Sequence, residues 1–103
     1  YETVIATSRT WKGAERLMYV LGATKTDHLA SIRALAPNSF FLVPGVGAQG
    51  GDLASVFHAA ANEDVGLLVN SSRSIIFASS GDDYADAARM AAMDLQQQME
   101  KLL

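Results

Sequence analysis

Cysteine is missing from all 103 residues, which removes disulfide staples, thiolate metal sites and cysteine nucleophiles from consideration. The same absence fits a reducing compartment, so a cytoplasmic location is expected. Basic residues are few: eight Lys and Arg stand against eleven Asp and Glu, for a formal net charge of -3. They are also scattered, and without a strip of positive charge to neutralise phosphates no nucleic-acid partner is expected. No apolar run approaches the roughly 20 residues of a membrane span, so no membrane partner is expected either. Tyr1 to Arg9 lack the charged-then-apolar layout of a signal peptide. With neither an initiator Met nor a helix cap, these residues read as the middle of a longer protein. His28 and His58 stand alone, without further ligands at metal spacing, and no metal is expected. Ser71 and Ser72 lack a G-x-S-x-G elbow and an identifiable base, which argues against a serine nucleophile.

What remains is the composition of a folded domain, with 50% hydrophobic and 18% charged residues. The length allows one small domain over residues 1–103. Three times the chain runs through a short apolar stretch, a turn of Gly or small polar residues, and an amphipathic helical stretch. The first apolar run is Leu17 to Leu21. Thr24 with Asp27 then resembles a capping box for a helix bearing Leu29, Ile32, Arg33 and Leu35, which Pro37 stops. The second run, Phe40 to Val43, is followed by a Gly-rich turn and by Asp52, a good N-cap for a helix from Leu53 to Asn62. Leu53, Val56, Phe57 and Ala60 form that helix's buried face. The third run, Gly66 to Val69, leads to Asn70-Ser71-Ser72-Arg73 and a single apolar helical turn at Ile75 to Phe77. Gly81-Asp82-Asp83 then opens a last helix, with the two acids as caps. That helix shows Tyr84, Ala88, Ala91, Leu95, Met99 and Leu102 on one side, and Gln96 to Gln98 on a solvated one. Trp11 and Tyr19 are expected to hold the first helix on the sheet, or in a full barrel to serve a subunit contact.

Short, continuously apolar strands are the mark of strands buried on both faces of a parallel sheet. The fold class is therefore α/β, with three parallel strands in βα units. Both outer strands would expose unpaired backbone groups. A closed TIM (β/α)8 barrel of about 250 residues has no such edges. Three units are three-eighths of one, so the chain is expected to be a partial barrel, and by itself a homo-oligomer, a dimer joined by its strand edges.

Two loops carry the chemistry. In Pro44 to Asp52, four glycines within seven positions let backbone N–H groups approach an anion. Gln49 is the long polar side chain there, able to donate to a phosphate oxygen. In the second loop, Asn70 to Arg73, small residues expose the backbone and Arg73 supplies a bidentate cation. Loops after neighbouring parallel strands leave the same end of the sheet, so Gln49 and Arg73 are expected to converge. Loops after strands 7 and 8 of TIM barrels often form a phosphate site. These residues point to a sugar-phosphate or nucleotide-monophosphate binder. Glu63 and Asp64 fall in the turn before the third strand, at the opposite end.

The segment PGVGAQGGD, Pro44 to Asp52, resembles the strand-7 loop of orotidine 5'-monophosphate decarboxylases. Asn70 to Arg73 with Ile75-Ile76 is similar to the strand-8 end of the longer bacterial branch of that family. Leu21-Gly22-Ala23-Thr24 and Ile32 to Pro37 are similar to its strand 6 and following helix. The likeness runs from Leu17 to Leu103 and implies a C-terminal portion of such an enzyme, which converts orotidine 5'-monophosphate to UMP and CO2 without metal or cofactor. It implies phosphate binding by Gln49, Ser72 and Arg73, with Pro44 and Val46 lining the wall near the pyrimidine. Thr26 stands where the branch often has Pro, and Ser72 where most other branches have Gly. The family's chemistry rests on an Asp-x-Lys-x-x-Asp motif. Lys12, Lys25 and Lys101 have no Asp two before and three after, so no catalytic residue is assigned and the chain alone is expected to be inactive. Another phosphate-binding barrel enzyme and a stand-alone phosphate-ligand module are the alternatives.

Overall fold

Three short parallel strands organise the computed structural model, which describes residues 1–23, 25–46 and 52–103. Strands β1 (Tyr19–Val20), β2 (Phe41–Pro44) and β3 (Leu67–Asn70) lie in that order, with β2 central. Tyr19, Phe41 and Leu67 are abreast, as are Val20, Leu42 and Leu68, and Pro44 lies beside Asn70. Helix α1 (Glu2–Ser8) precedes β1, α2 (Thr26–Leu35) joins β1 to β2, and α3 (Leu53–Ala60) joins β2 to β3. A single turn, α4 (Arg73–Ile76), and the long α5 (Tyr84–Leu102) follow. The sheet is open at both edges. Among the described residues no helix is long and apolar enough to cross a membrane.

Alternation along the strands decides where the core lies. Phe41, Val43 and Leu67 point to one face, where Leu29 and Ile32 of α2 and Leu53, Val56 and Ala60 of α3 cover them. The opposite face is bare. Val20 is 69% and Leu68 48% exposed, with Phe40 and Met18 open on the same side. The expectation of strands buried on both faces therefore fails on one face, because the described residues place a helical layer against the other face alone.

Several local expectations need correcting. Thr24 lies outside the described residues, and the N-cap position of α2 falls to Lys25, which makes no side-chain cap bond. Helix α3 stops at Ala60, two residues early, since Asn62 and Val65 exchange both backbone hydrogen bonds in a tight turn. Leu35 and Tyr84 are exposed. Trp11, 59% exposed, does not hold α1 on the sheet, because α1 has ended at Ser8 and Trp11 sits in the turn beyond it. Tyr19 does, through a 2.7 Å hydrogen bond between its hydroxyl and the buried Ser8 Oγ. Asp83 occupies the N-cap position of α5 but makes no side-chain cap bond, taking its hydrogen bond from Ser79 Oγ instead. Ala88, Ala91, Leu95, Met99 and Leu102 form the half-buried side of α5.

Arg33, at helical spacing with the apolar residues of α2, binds the lower end of the sheet together. Its Nε donates to Ala60 O at 2.6 Å, its Nη1 to Ala36, Pro37 and Ser39 carbonyls, and its Nη2 to Gly66 O at 3.1 Å. The guanidinium lies 3.7 Å from the centre of the Phe41 ring. These acceptors belong to the ends of α2 and α3 and to the residues just before β2 and β3.

Candidate functional site

The upper ends of β2 and β3 carry the loops singled out by sequence. Pro44 closes β2, half-buried, and Gly45 turns the chain at φ 87°, a left-handed conformation that glycine enters without Cβ strain. Val46 follows with its side chain in the core at 3% exposure. Residues 47–51, and Gln49 with them, lie outside the described residues.

Asp52 ends this loop as the N-cap of α3, as its place before an apolar run suggested. Its Oδ2 accepts from Ser55 Oγ at 2.6 Å and from Ser55 N–H at 3.2 Å. The Ser55 hydroxyl, then the Ser55 N–H, hold the carboxyl below the ordinary aspartate range. A carboxyl whose pKa is lowered on folding adds stability above its unfolded pKa and loses it as pH falls through the folded value. The α3 cap is therefore expected to survive neutral and mildly acid conditions and to fail below the usual carboxylate range. A carboxyl-carbon NMR titration of Asp52 checks this, and Asp52→Asn, which still caps, should remove that part of the acid dependence.

On the neighbouring strand, Asn70 ends β3 beside Pro44 and donates from Nδ2 to Ser72 Oγ at 3.2 Å. Ser71 Oγ donates to the Val46 carbonyl at 3.3 Å and so ties the second loop to the first. Ser72 precedes α4, whose first internal bond runs from Ile76 N–H to the Ser72 carbonyl at 2.8 Å. The N–H groups of Arg73 and Ser74 therefore come before the helix's own hydrogen bonding. Arg73 is exposed, and among the described residues it has no ion-pair partner. Thus Pro44, Val46, Ser72 and Arg73 sit on adjacent strand ends at one end of the sheet. Between the two loops and α5 lies a cleft of about 350 Å³ lined by Val46, Asp52, Ser71, Ser74, Asp94 and Leu95. From the sequence Ser71 reads as a small residue that lacks the setting of a nucleophile. Its bridge to Val46 joins positions 25 apart and has no local signature.

The remaining candidates lie elsewhere. His28 stacks with Tyr1 at 4.8 Å and His58 neighbours Phe57. Among the described residues no three His, Cys, Asp or Glu side chains come together to hold a metal. Glu63 and Asp64 lie in the turn before β3, at the Arg33 end.

No family model matches the chain. Individual proteins do. The orotidine 5'-phosphate decarboxylase of Flavobacterium johnsoniae is 52% identical over 103 residues, which is all of this chain and 38% of that protein. That of Porphyromonas gingivalis is 50% identical over 100 residues, 97% of this chain and 36% of its own length. Among solved structures, Leishmania donovani UMP synthase superposes with a TM-score of 0.72 at 35% identity, over 94% of this chain and 22% of that one. Leishmania donovani OMP decarboxylase gives 0.67 at 33% identity, over 87% and 34%. The chain thus spans between a third and two-fifths of the curated relatives it matches. With half its residues shared along its whole length and the strand order of a TIM-barrel segment, the chain belongs to the orotidine 5'-phosphate decarboxylase family, of which it represents a C-terminal portion.

Proposed function

We propose that this chain supplies the phosphate-gripping end of an enzyme that converts orotidine 5'-monophosphate to UMP and CO2 in pyrimidine biosynthesis. The observation that carries the proposal is that adjacent parallel strands end side by side, with Pro44 beside Asn70, so the loops that follow them leave the same end of the sheet. Arg73 pairs with the 5'-phosphate, the Ser72 and Arg73 N–H groups donate to it, and Gln49 closes over it. Pro44 walls the pyrimidine side, and Val46, with its side chain in the core, contributes there through its backbone. An arginine fork on a phosphate gives orientation as well as attraction. Binding energy gathered at the phosphate, remote from the reacting carbon, serves to position the base.

The chain performs no decarboxylation by itself, since no Lys here has Asp two before and three after. The reaction needs no metal or cofactor, and the protein works in the bacterial cytoplasm. Alone, it associates through its open strand edges into a homodimer.

An amide NMR titration with UMP, repeated on Arg73→Ala, tests the site. Shifts are expected at Gln49, Ser72 and Arg73. In the variant, binding should weaken roughly tenfold to a hundredfold, the loss of a charge-assisted hydrogen bond worth about 1.5–3 kcal/mol. A well-dispersed spectrum that ignores UMP overturns the proposal that these loops form a site in this chain.

A further inference from the structure

Past Pro44 and Asn70 the two loops lose the sheet that joins their stems. The register between β2 and β3 ends at that pair. The chain then turns away at Gly45 on one side and enters α4 at Arg73 on the other. Loops that act on one phosphate need a fixed spacing, because a misplacement of about 1 Å can cost an oriented site about a hundredfold. Among the described residues one hydrogen bond crosses between the loops beyond the strand ends, from Ser71 Oγ to the Val46 carbonyl at 3.3 Å. Its acceptor is anchored, since the Val46 side chain lies in the core at 3% exposure. Its donor is half-buried, between the last residue of β3 and the Ser72–Arg73 pair. Ser72 Oγ is held within its own loop by Asn70 Nδ2 at 3.2 Å, so Ser71 is the hydroxyl that reaches across.

We infer that Ser71 is a positioning residue for phosphate binding, its hydroxyl setting the spacing of the two loops through the Val46 carbonyl. This role rests on the phosphate site proposed above and adds to it a residue that meets no phosphate itself. Bond length and surroundings favour alignment over a part in holding the fold. At 3.3 Å the bond is longer than the roughly 2.5–3.0 Å of a well-made hydroxyl hydrogen bond. It therefore guides the loops without locking them, and a phosphate that draws them together shortens it. The cleft of about 350 Å³ lined by Val46, Ser71 and Ser74 lets water reach the carbonyl once the hydroxyl is removed. No buried acceptor is then stranded, and the loss falls on alignment rather than on folding. The same space admits one added methyl, so threonine can replace serine.

The test follows the Val46 carbonyl-carbon resonance and UMP affinity together, in the whole chain, for wild type, Ser71→Ala and Ser71→Thr. In wild type, UMP is expected to move that resonance downfield as the bond shortens. Ser71→Ala should keep the wild-type urea midpoint, lose the downfield movement and bind UMP roughly twofold to tenfold more weakly, the worth of one neutral hydrogen bond. Ser71→Thr should restore both. On an Arg73→Ala background the effect of Ser71→Ala should shrink, since alignment matters less once the guanidinium is gone. Four outcomes would overturn the inference and leave the phosphate site standing: equal UMP affinity in wild type and Ser71→Ala, no rescue by Ser71→Thr, strict additivity with Arg73→Ala, or a loss of affinity that only tracks a lowered urea midpoint. A wild-type chain that ignores UMP overturns the phosphate site, and the role of Ser71 with it.

Discussion

Arg33→Ala is expected to cost the fold about 3 kcal/mol or more and to leave the chain largely unfolded at 37 °C. The side chain donates to five backbone carbonyls, of Ala36, Pro37, Ser39, Ala60 and Gly66. Hydrogen bonds from a charged group contribute about 1.5–3 kcal/mol each, and buried acceptors left unpaired add a penalty of their own. Such contributions do not sum, so the predicted figure of about 3 kcal/mol is a floor rather than a total. Even that floor is a large share of the 5–15 kcal/mol that holds an ordinary domain together. Burial pulls the guanidinium pKa below its ordinary value. It nevertheless starts high enough that the group remains charged wherever the chain folds. Arg33→Lys keeps the charge but offers three donors to five acceptors and no planar fork, so an intermediate loss is expected. Urea unfolding measures the difference. Hydrogen exchange at Phe41 N–H, bonded to the Gly66 carbonyl at 2.9 Å, should accelerate first. Arg33→Ala unfolding at the wild-type midpoint would show that water replaces the guanidinium without loss.

Local rules made the alternation of strand and helix legible, because each βα unit has its own apolar run, small-residue turn and helical periodicity. Strand ends moved by one or two residues, the first run of Leu17 to Leu21 shrinking to Tyr19–Val20, and Asp52 capped α3 as its position before Leu53 suggested. The bare face of β1 and β3 was illegible for an instructive reason. Val20 and Leu68 sit in apolar runs like those of their buried neighbours, and which face of a strand is covered depends on tertiary packing that no run of sequence records. Arg33 escaped for a related reason. Its spacing fits the buried stripe of α2, while acceptors such as Ala60 and Gly66 lie 27 and 33 residues away. In the site, the shared end of the two loops followed from parallel pairing. The Ser71–Val46 bridge did not, being a contact between loops rather than a property of either.

Phe41→Ala should be the most damaging change in the hydrophobic core, at about 3–5 kcal/mol for a buried aromatic truncated in place. Phe41 is fully buried at the start of the central strand, with Leu67 beside it on one strand and Tyr19 on the other. The Tyr19 ring meets it edge-on at 6.3 Å. The same Tyr19 hydroxyl holds Ser8, so a cavity at Phe41 loosens α1 as well as the sheet. Above the ring lies Arg33, which makes the two residues one unit: the ring attracts the cation, and the cation's carbonyl partners fix where the ring can sit. Phe41→Leu preserves most of the apolar volume but removes the π face, and a smaller loss, about 1–2 kcal/mol, is expected. The double-mutant cycle of Phe41→Leu with Arg33→Lys should then be non-additive by about 0.5–2 kcal/mol. Strict additivity would mean that Arg33 acts through its carbonyls alone. A coupling of that size would place the stacked pair, rather than the helix layer by itself, at the base of the sheet whose upper end carries the loops.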